Sequence, residues 1–98
     1  MIKHIVCFKL KDNSEAEVKK AADILLSMNG NVPLLRGIEV GCDFLHSPRS
    51  YDIILQVLLD DEKALDDYQN DEYHCGVVKK HMHAVAESSV AIDYYIDG

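Results

Sequence analysis

Apolar and polar positions along this chain switch between two periods. From Ile2 to Leu10 the period is two, with Ile2, His4, Val6, Phe8 and Leu10 on one side and Lys3, Ile5, Cys7 and Lys9 on the other. The middle of both sides is apolar. A half-buried strand would show one polar face, so this pattern predicts a central strand covered on two sides, with His4 in or beside the core. From Ser14 to Met28 the period lengthens: Val18, Ala21, Ala22, Leu25 and Met28 recur at three- and four-residue intervals and form one helical stripe. Ser14 and Glu17 have capping-box spacing at its start, Asn29-Gly30 offers a left-handed stop, and Pro33 bars continuation.

Period two returns between Leu35 and Phe44, where Ile38, Val40, Cys42 and Phe44 alternate and Gly37 and Gly41 fall on the opposite face. Glycines inside a strand predict a bulge or the close approach of a neighbour. The short turn Leu45–Ser50 then leads into an antiparallel return over Tyr51–Leu59, apolar on both sides except for Asp52 and Gln56. Acidic residues at Asp60-Asp61-Glu62 suit the positive end of a helix whose apolar face is Ala64, Leu65 and Tyr68. Asn70-Asp71 should break it. A further helix is predicted from Glu72 to Val85, with His74, Val77, Val78, His81 and Val85 near one face, followed by a strand over Glu87–Ile96.

The order strand, helix, strand, strand, helix, strand predicts an α+β, ferredoxin-like βαββαβ domain with one four-stranded antiparallel sheet. Right-handed crossovers put both helices on one face and the first and third strands in the centre. The other face is left bare, at roughly 19 by 20 Å for strands about 4.8 Å apart. Monomers rarely expose so large an apolar patch, so a symmetric homodimer is expected.

Composition bounds the function. The 98 residues, 48% of them hydrophobic, suffice for a single domain over residues 1–98. A net charge of -7 with no basic patch argues against nucleic acid as a partner. No apolar run approaches the roughly 18 residues of a membrane span, so no membrane association is expected, and no signal peptide is read at the N-terminus. Cys7, Cys42 and Cys75 are odd in number and form no C-x-x-C pair, which fits small buried hydrophobes in a reducing cytoplasm. No cofactor is expected, and no metal. His74, His81 and His83 lie near Asp71 and Glu72, but no metal motif joins them and they read as solvated helix histidines. No cysteine has a histidine at a spacing that suggests nucleophilic catalysis.

Three stretches taken together, Lys3-His4-Ile-Val-x-Phe-Lys-Leu-Lys-Asp12, Leu35-Arg-Gly-Ile-Glu-Val-Gly41 and His46-Ser-x-Arg-Ser-Tyr-Asp52, resemble the stress-responsive A/B barrel (Dabb) family. The tail, Tyr68-x-x-x-x-Tyr-His74 and Glu87-Ser-Ser-Val-Ala-Ile-Asp-Tyr94, matches as well. The resemblance implies a dimeric α+β barrel but no single activity. One plant branch includes a polyketide cyclase in which a strand-one histidine, a helix tyrosine and a following histidine line a pocket between sheet and helices. His4, Tyr68 and His74 fall on those positions. The chain departs from that branch in having Asp71-Glu72 where the branch has His-Pro, and Asp52 where plant members carry a histidine.

On the residues alone, a histidine that titrates near neutral pH and a tyrosine hydroxyl could take a proton from beside a carbonyl and hold the resulting enolate. Asp52 would orient an imidazole across the sheet if it shares a face with His4. Tyr68 and His74 are six residues apart and do not share a face of one regular helix, so a break near Asn70 would have to bring them together. The expectation is therefore a small barrel protein that binds a small apolar or aromatic molecule through His4, Asp52, Tyr68 and His74. The alternative is a cofactor-independent acid–base enzyme of cyclase, isomerase or monooxygenase type, using His74, Tyr68 and His4. A cavity reached by all three favours the enzyme, and a filled core between helix and sheet would exclude it.

Overall fold

The computed structural model describes residues 1–96. The two-sided apolar stretch Ile2–Leu10 (β1) is an inner strand, antiparallel to Ile53–Leu59 (β3) on one side and to Ala86–Tyr95 (β4) on the other. Gly37–Cys42 (β2) pairs with the far edge of β3, so the sheet runs β2-β3-β1-β4 with the two most apolar strands in the centre. Helix Glu15–Leu26 (α1), helix Glu62–Gln69 (α2), a π-helical stretch His74–Lys79 and helix Lys80–Val85 (α3) complete the fold. No helix among the described residues is long and apolar enough to cross a membrane.

The core lies between helices and sheet. Ile2 and Leu10 of β1 and Ile53, Leu55, Val57 and Leu59 of β3 meet Ala21, Leu25 and Met28 of the first helical arm, with Tyr68, Val78 and Met82 closing the far side. The predicted stripe of α1 is the buried one. Its start differs from expectation: the Ser14 side chain caps nothing, and the Ser14 backbone N–H is taken by the Asp12 carboxylate at 2.9 Å. Gly30 does adopt the left-handed backbone, φ +87°, as the stop requires. In α2 the cap is Asp61, whose carboxylate accepts from the Ala64 N–H at 2.8 Å.

The β2 glycines are explained by close approach. A Cβ on Gly37 would stand 3.1 Å from Leu58 Cδ1, and one on Gly41 3.2 Å from Ile54 Cγ2. Leu58 and Ile54 therefore lie flat over β2 on the helix-free side of the sheet. That side also carries Ile5, Cys7, Val90 and Ile92, paired across the ladder as Ile5 with Ile92 and Cys7 with Val90. Ile92 is 65% exposed, a large apolar side chain with nothing against it in a single chain. The cysteines are not the buried hydrophobes expected: Cys42 and Cys75 are exposed and Cys7 is half-buried on this outer face.

Candidate functional site

The site begins with a break in a helix. Asn70 and Asp71 close the end of α2, their N–H groups donating to Asp67 O at 3.2 Å and Tyr68 O at 3.1 Å. Asp71 then starts the next segment: its carboxylate accepts from His74 N–H and its carbonyl from Cys75 N–H, both at 2.9 Å. The regular helix expected over Glu72–Val85 is instead π-helical from His74 to Lys79, with α-helix resuming at Lys80. A π turn widens the helix and is found often at functional positions. Tyr73 anchors the segment, its hydroxyl donating to Ser27 Oγ at 2.7 Å beside the end of α1.

This break brings Tyr68 and His74 into register. Their rings stack with centroids 4.2 Å apart and planes 26° apart, and the other partner of Tyr68 is His4, edge-on at 5.7 Å. Tyr68, fully buried, is thus held between two imidazoles. Its hydroxyl donates to Met28 Sδ at 3.7 Å. A thioether is a weak acceptor, so exchanging it for a ligand oxygen would cost little. Burial, with the negative charge of Asp71 second, pushes the Tyr68 hydroxyl well above the usual phenolic range, so it stays protonated and able to donate.

His4 and His74 are held differently. His4 projects from β1 toward the helices and its Nδ1 hydrogen-bonds the carboxylate of Asp93 on β4, directly across the ladder. A carboxylate accepting from Nδ1–H fixes the tautomer and leaves Nε2 as the basic nitrogen. The side chain of His74 is half-buried, and its Nδ1 is enclosed with no hydrogen-bond partner among the described residues. Burial, the nearby charge of Lys79 and that of His4 lower its pKa, against weaker opposing effects of Asp71 and the Tyr68 backbone, so His74 is neutral near pH 7.

The three rings line one cavity of about 270 Å³. Val6, Phe8, Leu25, Leu55, Val78 and Met82 supply its apolar wall, and the exposed residues Lys79, His83, Ser89 and Ala91 form its mouth beside β4. The small side chains of Ser89 and Ala91 leave the entrance open. The space between helix and sheet is therefore not filled core.

Asp52 does not join this group. Buried just before β3, its carboxylate accepts from the Leu10 N–H at 2.7 Å and from Asn13 Nδ2 at 3.4 Å, tying the end of β1 to the loop before α1. His4 pairs instead with Val57, well along the ladder, so the expected contact between Asp52 and His4 is not made. The carboxylate that holds His4 is Asp93. Its signal was one of parity: Asp93 alternates with Ile92 and Tyr94 on β4 and so points to the helix side, where an end strand places it opposite His4. His81 also has an enclosed nitrogen, Nε2, without a partner among the described residues, but it does not line the cavity. No cluster of three or more histidine, cysteine or acidic side chains suited to a metal occurs among the described residues.

The family model of the Stress Responsive A/B Barrel Domain matches residues 2–96. Among solved structures, a dimeric ferredoxin-like protein of unknown function from Thermobifida fusca is 22% identical, with a TM-score of 0.83 over 97% of this chain and 90% of that one. A dimeric protein of unknown function and ferredoxin-like fold from Bacteroides fragilis is 25% identical, with a TM-score of 0.79 over 97% and 95%. The hydroxynitrile lyase of Passiflora edulis shares the fold at 15% identity, with a TM-score of 0.77 over 98% and 93%. No curated protein matches the chain by sequence.

Proposed function

The chain belongs to the stress-responsive A/B barrel family, and from that premise we propose that it binds a small, largely apolar carbonyl compound in the cavity at His4, Tyr68 and His74 and moves a proton on it without a cofactor. The observation that carries this reading is the Asp93–His4 pair opening into a cavity that also holds the neutral ring of His74. His4 Nε2 would take a proton from the carbon beside the carbonyl, and the C–H electron pair would pass to the carbonyl oxygen. The Tyr68 hydroxyl, turned from Met28, would donate to that oxygen, and His4, now carrying the proton, would return one to the carbon beside the neutral ring of His74. Catalysis on this fold is supported by the Passiflora edulis structure, which is that of a hydroxynitrile lyase.

Acetophenone in D2O tests the proposal, with exchange of its methyl protons for deuterium followed by NMR. Exchange above the buffer rate that is lost in His4→Gln is the expected result. Binding without exchange would reduce the site to a binding pocket. That second reading draws support from Tyr68, whose hydroxyl already has a partner in Met28.

The assembly is proposed as a homodimer through the helix-free face, in keeping with the dimeric relatives. A second sheet would cover Ile5, Val90 and Ile92. Sedimentation at micromolar concentration should give twice the chain mass, and Ile92→Lys should give the monomer, because an unpaired charge buried there costs several kcal/mol or about that order. A monomeric wild-type protein would refute it. The three free cysteines suit a cytoplasmic setting, which is proposed on that ground.

The lowered pKa of His74 gives a further expectation. The folded state binds a proton at His74 less readily than the unfolded chain, whose value is near 6.5. Stability linked to this ring is present above that pH and is lost as the pH falls from there through the folded value. Melting temperature should therefore drop between pH 7.5 and 5.5, and the drop should be smaller in His74→Gln. Equal drops in the two proteins would show that His74 is not the group responsible.

A further inference from the structure

We infer that the ligand of this cavity is an anion: a single flat ring or comparably small apolar body carrying one carboxylate or enolate, drawn in by Lys79. The inference rests on the reading of the cavity as a binding site and deepens it.

The charge distribution carries the argument. The chain has 17 acidic residues against 10 basic ones. Even so, among the described residues no Asp or Glu lines the cavity at His4, where the ionisable side chains besides Tyr68 are His4, His74, Lys79 and His83. The four other cavities described each include at least one carboxylate, such as Asp52 or Glu62. Asp93, the nearest carboxylate by its bond to His4, is half-exposed at the β4 edge and is not part of the lining. An acidic surface broken by one carboxylate-free opening focuses anions toward it.

The positions of Lys79 and His83 fit an amphipathic guest. Lys79 ends the π-helical stretch and His83 lies on α3, both exposed at the mouth, while the deeper wall is apolar. Lys79 is near enough for its charge to act on His74. A guest would rest its ring against Leu55 and Val78 and keep its anionic group toward Lys79. The size agrees: about 270 Å³ is room for roughly nine waters at about 30 Å³ each, the scale of one substituted ring.

Benzoate and benzamide, nearly equal in shape and different in charge, make the test. Both are titrated to millimolar concentration against 15N-labelled protein at pH 7.5 and low salt, with Val78, His74 and Ala91 amides as reporters. Benzoate should bind about fivefold more tightly than benzamide, and Lys79→Gln should remove that preference while Lys79→Arg keeps it. Benzamide binding as well as benzoate, or a preference unchanged in Lys79→Gln, overturns the anion inference and leaves the pocket reading standing. If neither probe shifts the reporters, or if Ala91→Phe at the mouth leaves benzoate binding intact, the pocket reading fails and the inference falls with it.

Discussion

Tyr68→Ala should cost about 3–5 kcal/mol of folding stability, the range for deleting a buried aromatic ring from a packed core. Tyr68 is fully buried and is the largest such side chain of the core. Its removal takes away the stacking surface of His74 and the edge contact of His4 together. Aromatic pairs of this kind add about 0.5–1.5 kcal/mol beyond the area they bury. Met28 and Met82 can relax only partly into the gap, because β1 and β3 hold the floor and Asp71 fixes the start of the π-helical stretch. Tyr68→Phe keeps ring and stacking and gives up only a bond to the Met28 sulfur, so it should cost less than about 1 kcal/mol. Urea unfolding with an unchanged m value would measure both. A loss below about 1 kcal/mol in Tyr68→Ala would mean that the two imidazoles are positioned without the ring between them. The pair of variants also separates structure from chemistry. If Tyr68→Phe is stable yet slow in the exchange of acetophenone protons, the hydroxyl does reach the ligand oxygen.

The sequence carried the frame of this site further than its chemistry. The two-sided apolar pattern of Ile2–Leu10 points to a central strand, and β1 is one, flanked by β3 and β4. Of the bulge or close approach expected at Gly37 and Gly41, it is the close approach that occurs, by Leu58 and Ile54, since a missing side chain in a strand leaves space that a neighbour takes. The meeting of Tyr68 and His74 needed a break at Asn70, and the break is there. What produces it was not legible: the spacing of His74, Val77, Val78 and His81 suits an ordinary helix, and nothing local distinguishes a bond to the fifth residue from one to the fourth. The partner of His4 was missed for another reason. Asp52 and Asp93 are both carboxylates in or beside strands next to β1, and only the ladder register tells which of them meets the imidazole. Asp52 lies at the Leu10 end, where the Leu10 N–H and the Asn13 side chain claim it. Register is a property of two strands, and a single sequence writes each strand alone.

Asp93→Asn should lower proton exchange by about 10²–10⁴-fold and leave the fold nearly unchanged. The two effects part because of where Asp93 sits. Its side chain is 41% exposed, so the pair with His4 is well screened and should contribute no more than about 1 kcal/mol to stability. Its effect on the reaction is of another kind. The carboxylate accepts from Nδ1–H, which sets the His4 tautomer, and its charge favours the imidazolium that forms when Nε2 takes a proton. An amide can present its NH2 to the ring instead, which moves the ring proton to Nε2 and removes the base. Asp93 touches no ligand in this arrangement, so it is a positioning residue, and its variant should lose kcat with KM little changed. Asp93→Glu, which keeps the charge on a longer arm, should recover part of the rate. A binding role for His4 would predict the opposite split, with affinity lost and no rate to lose. Equal exchange rates in wild-type and Asp93→Asn proteins, at equal melting temperature, would reduce the Asp93–His4 pair to an ion pair beside the cavity with no part in the reaction.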